Sequence, residues 1–117
     1  MATSADPGYR QHLAALGEKY RASIPQRMAA IAAALDSADP TPDATALAAL
    51  HECLHTVAGS AGSFGFRVLG EEARRLEQLL RETMAGAVAW TNVAPQVRAY
   101  LAWAERDPGA AEYPSHD

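Results

Sequence analysis

Leu47, Leu50, Leu54, Val57, Ala61 and Phe64 follow one another at steps of three and four, the spacing that stacks side chains on one face of an α-helix. Related stripes run through Tyr9, Leu13, Leu16, Tyr20, Ile24, Met28, Ile31 and Leu35, through Leu69, Ala73, Leu76, Leu79 and Leu80, and through Val93, Val97, Tyr100, Leu101 and Ala104. Apolar and polar residues do not alternate over any strand-length run, and abundant alanine favours helix further. Each stripe can be buried only against another helix, so the sequence predicts an all-α fold.

The breaks between stripes set the helix ends. Ser23-Ile24-Pro25-Gln26 reads as an N-cap, a first-turn proline and a capping-box glutamine. It predicts a short helix at about 8–21 and a second at about 24–36, with one kinked helix as the alternative. Thr41-Pro42-Asp43 starts a helix at about 42–64, with Thr41 as cap and Pro42 at its first position. Gly62 and Gly65 bracket its end. Further helices are predicted at about 66–85 and 91–106, the first carrying Glu71–Arg75 and Glu77–Arg81 as outward pairs. Asp107-Pro108-Gly109 ends the last. Short connections imply an antiparallel up-down four-helix bundle with an additional short N-terminal helix over one end. Residues 1–117 read as one domain, with 1–8 and 108–117 flexible.

Bulk properties narrow the function. A chain of 117 residues holds one real core. The net charge of −4 argues against nucleic acid as a partner. No apolar run approaches the roughly 20 residues of a membrane span, and residues 1–6 lack a signal peptide's basic start. One cysteine excludes an internal disulfide and fits a reducing compartment. The expectation is a cytoplasmic monomer.

Chemistry concentrates between His51 and Gly65, where two readings compete. His51-Glu52-Cys53-Leu54-His55 fits the HExxH helix of zinc hydrolases, with Glu52 as general base and Glu72 or Glu77 as a third ligand. Those enzymes bind substrate along a sheet edge, and no strand is predicted here. On a helical wheel with His51 at zero, the apolar stripe falls between about −40° and −140°, and His55 near +40°. His55 therefore stands beside the core seam, on a strip shared with Ala44, Ala48, Ala58, Gly59 and Gly62. A solvated helix face would normally carry Glu, Lys and Arg, and a mid-helix glycine costs about 1 kcal/mol against alanine. A strip of small residues around an exposed imidazole reads as a docking surface around a nucleophile. A helical interaction module with incidental histidines would leave Gly59 unexplained.

His55, Val57, Gly59 and Gly65, followed by Leu69, Glu72, Arg75 and Leu76-Glu77, resemble the histidine-containing phosphotransfer (HPt) domain of bacterial phosphorelays. The family pattern has an apolar residue two places after the histidine, lysine three, glycine four and glycine ten places after. Ala58 stands where the lysine is usual. The resemblance implies that His55 accepts a phosphoryl group from a receiver-domain aspartyl phosphate and passes it to another receiver. It implies receiver domains of response regulators or hybrid histidine kinases as partners, and Mg²⁺ on the receiver, with no cofactor and no kinase activity of its own. With no lysine at Ala58, Arg74, Arg75 or Arg67 becomes a candidate for the missing charge, and His51 for a hydrogen bond to phosphate. Gly65 is expected to be structural, and Gly59 and Gly62 to lie under the partner.

Overall fold

The computed structural model describes residues 7–114. Four α-helices follow in order: α1 Pro7–Ala38, α2 Ala44–Ser60, α3 Arg67–Met84 and α4 Trp90–Arg106, with a 3₁₀ turn at Ala61–Phe64 continuing α2. No strand occurs among the described residues. The stripes read from the sequence meet in one core. Ile31, Leu50, Leu54, Leu69, Leu76, Leu80, Val93, Val97 and Tyr100 are fully enclosed, and Tyr100 Oη satisfies itself by donating to the Leu69 carbonyl at 2.9 Å. Burial raises the Tyr100 phenol above its ordinary range.

The two helices predicted before Asp36 are one. Ser23 is no N-cap: its hydroxyl donates to the Tyr20 carbonyl three residues back, at 2.6 Å, and accepts from Arg27 Nε at 2.8 Å. Pro25 lies on the exposed side of α1, so the carbonyl it leaves without an amide partner faces water and not the core. The buried face at Tyr20, Ile24, Met28 and Ile31 runs through the proline uninterrupted. Packing on both sides of Pro25 outweighs the missing hydrogen bond.

α1 is longer than its neighbours. Its 32 residues span roughly 48 Å at 1.5 Å per residue, and the molecule measures 54 × 26 × 25 Å. Gly17 sits against the Phe64 carbonyl, 3.3 Å from where its Cβ would be, so the turns before Gly17 run past the end of α2. Tyr9 and Leu13, expected in the core stripe, are therefore exposed, whereas Tyr20 is buried. Pro7 and Gly8 belong to α1. The segment after α4 folds back on the bundle: the Tyr113 ring meets the Trp103 ring edge-on at 4.9 Å. Of the ends expected to be flexible, 1–6 and 115–117 lie outside the described residues.

Candidate functional site

Asp43, not Thr41, caps α2: its carboxylate accepts from the Ala46 amide at 2.8 Å. At the other end the 3₁₀ turn closes on Gly65, whose φ of 95° is left-handed backbone that favours glycine. The Phe66 amide then reaches the Ala61 carbonyl at 2.9 Å, and the chain reverses into α3. α3 approaches closely because Gly70 has no side chain: a Cβ there would stand 3.3 Å from the Ala61 Cβ. That closeness lets long side chains of α3 reach across α2.

His55 lies on this α2–α3 seam with its side chain 58% exposed. Its Nδ1 is 2.6 Å from Glu77 Oε2, and the Glu77 carboxylate is nearly enclosed. An ionised carboxylate only accepts, so His55 carries its proton on Nδ1 and leaves the Nε2 lone pair facing outward. Arg81 Nη2 donates to the same Glu77 oxygen at 3.0 Å, and Arg81 Nε donates to His51 Nε2 at 3.2 Å. The two imidazoles lie nearly parallel, with centroids 6.1 Å apart.

Several sequence expectations shift here. Glu77 points inward, so its pair with Arg81 is part of the site and not a surface decoration. Arg75 pairs with Glu72 and with Gln96 of α4, while Glu71 pairs with Arg67. Neither Arg75 nor Arg67 therefore turns toward His55. Arg74 does cross the seam, donating to the Ala58 carbonyl at 2.9 Å. Ala58 itself is 7% exposed, so it is not part of the open strip. Its wheel position near −20° lies close to the seam, where Arg74 of α3 crosses to its carbonyl. Ala44, Ala48, Gly59 and Gly62 are exposed as read, and a Cβ on Gly59 or Gly62 would meet nothing within 4 Å. Packing within the chain thus gives no reason for either glycine.

His51 is half-buried, with Nε2 already engaged by Arg81. A fixed guanidinium bridging His51 and Glu77 places positive charge where a metal dication would have to sit, which disfavours the zinc reading. Cys53 faces α1, its Sγ 3.8 Å from the Ala30 carbonyl, and burial followed by the charge of Glu52 raises its thiol pKa. His55 lines none of five surface cavities of about 340 to 630 Å³ among the described residues, and its side chain is largely exposed.

The family model described as the Hpt domain matches residues 15–106, most of the chain. The chain belongs to the Hpt family. Hpt domains interact with receiver domains in two-component systems. Chemotaxis protein CheA of Salmonella typhimurium is 40% identical over 52 residues, which is 44% of this chain and 8% of CheA. The Hpt chain thus aligns with only a small part of that protein. No solved structure matches it. No helix among the described residues is long and apolar enough to cross a membrane.

Proposed function

We propose that His55 is the phosphorylated residue of this Hpt domain, and that it exchanges the phosphoryl group with receiver domains of response regulators or hybrid kinases. The observation that carries the reading is the 2.6 Å bond from His55 Nδ1 to the enclosed Glu77 carboxylate. It fixes the tautomer in which Nε2 is the nucleophile, and it places a negative charge beside the imidazolium that forms on attack. Nε2 bonds to phosphorus as the bond from phosphorus to the receiver's aspartyl oxygen breaks, and that carboxylate departs as an anion. Return transfer is the reverse.

Mg²⁺ on the receiver would neutralise the phosphoryl oxygens, so the Hpt domain has to supply only position and a lone pair. An exposed imidazole suits a phosphoryl group presented by another protein better than a free small substrate. Gly59 and Gly62 leave a flat approach beside it. Arg74 stands in for the usual lysine, its guanidinium one turn from His55 but borne on α3. A cytoplasmic, monomeric carrier in a bacterial phosphorelay is the setting this implies.

The test is transfer from a receiver domain phosphorylated with a small-molecule donor. Wild-type protein is expected to gain an acid-labile, base-stable label, and His55→Gln to gain none while keeping its helical circular dichroism. A label that persists in His55→Gln would overturn the assignment.

A further inference from the structure

The family pattern gives no role to His51 or Arg81, yet both meet the carboxylate that holds His55. Arg81 Nε donates to His51 Nε2 at 3.2 Å while its Nη2 donates to Glu77 Oε2 at 3.0 Å, and Nη1 reaches Gln78 Oε1 at 3.3 Å. Guanidinium nitrogens only donate and stay charged. His51 Nε2 must then be an acceptor, so the His51 proton is on Nδ1. The same His51 nitrogen is 3.4 Å from Glu77 Oε2, the oxygen that His55 Nδ1 reaches at 2.6 Å. Without Arg81, His51 Nε2 is free to carry a proton and to donate it to that oxygen. It would then compete with His55 for one acceptor.

We propose that Arg81 is a positioning residue for phosphotransfer, which fixes His51 as its Nδ1–H tautomer and so reserves the Glu77 carboxylate for His55. The proposal rests on His55 as the acceptor, but its first step concerns only proton positions. Arg81 touches neither the phosphoryl group nor His55. It acts by occupying His51 Nε2. The side chains of His51, His55, Glu77, Gln78 and Arg81 come from α2 and α3 alone, so substitutions here leave the α1 and α4 packing in place.

Two measurements test it on the full chain. Long-range ¹⁵N–¹H correlation spectra of the imidazoles read the tautomers directly. Wild type is expected to show both His51 and His55 as Nδ1–H, and Arg81→Met to move His51 toward Nε2–H. An unchanged His51 pattern in Arg81→Met overturns the proposal, whether or not His55 takes phosphate. The second measurement is the rate of transfer from a phosphorylated receiver. Arg81→Met should slow it about tenfold, within the range of coupling between contacting residues. Adding His51→Phe to Arg81→Met should restore most of the rate, because the competitor for Glu77 is gone. A double variant as slow as Arg81→Met would show that Arg81 does not act through His51 and would sink the proposal. A wild-type chain that takes no label from any receiver would instead refute the assignment of His55, with the spectra still deciding the proton positions.

Discussion

Ala58 and Arg74 show how a charge can move between helices at the scale of a single residue. A lysine at 58 would project from α2 beside His55, whereas alanine leaves room for Arg74 to cross from α3 and bond the Ala58 carbonyl. Both arrangements put one cation a turn away from the imidazole. Arg74→Ala is expected to slow transfer a few-fold, the size of effect an exposed charge supports. Adding Ala58→Lys in that background should recover most of the loss, and transfer kinetics with one receiver check both. An unchanged rate in Arg74→Ala would show that the guanidinium takes no part. Ala58 as the departure from the family pattern was legible in the sequence, as was exposed His55. Which arginine approaches was not, because Arg67, Arg74 and Arg75 share one helix and choose their partners by rotamer and by what faces them. Glu77 was misread for the same reason: helical spacing pairs it with Arg81 but does not say that Glu77 is enclosed while Arg81 stays largely exposed.

At the scale of the element, α2 carries a cost that its own packing does not explain. Gly59 has helical neighbours on both sides and nothing within 4 Å of a Cβ, so alanine fits there without strain. Gly59→Ala is expected to stabilise the domain by about 0.5–1 kcal/mol in urea unfolding. The same change should weaken receiver binding, since the added methyl stands on the open strip beside His55. Greater stability without loss of transfer would detach Gly59 from the docking surface. α1 gives the opposite lesson. Pro25 and a plausible capping box predicted a break, but local signals count little against a buried face running from Tyr20 to Leu35. Ser23 satisfies the Tyr20 carbonyl inside the helix it was expected to begin.

At the scale of the whole molecule, the connection between α1 and α2 is tied to α4. Asp39 accepts from Trp90 Nε1 at 2.9 Å and pairs with Arg98, so one side chain links the α1–α2 corner to two points of α4. The Trp90 hydrogen bond first, and then Arg98, hold the Asp39 carboxyl below its ordinary value. A carboxyl with a lowered folded-state pKa adds stability above its unfolded value near 3.8, and that stability is lost as pH falls through the folded value. Asp39→Ala should therefore lower the melting temperature at pH 7, with the difference from wild type narrowing below about pH 4. A gap independent of pH would assign the effect to packing alone. The same tie was invisible beforehand, because Asp39 and Trp90 are 51 residues apart and meet only once the bundle has closed. The sequence by itself determined the helical class, the four buried stripes, the left-handed turn at Gly65 and the exposed histidine, all of which follow from spacing along one chain. Only the tertiary structure decided that α1 is continuous, that Arg74 and not Arg75 crosses to α2, and that His55, Arg81 and His51 converge on Glu77. Those contacts depend on how closely two helices approach, and Gly70 sets that distance from 15 positions away.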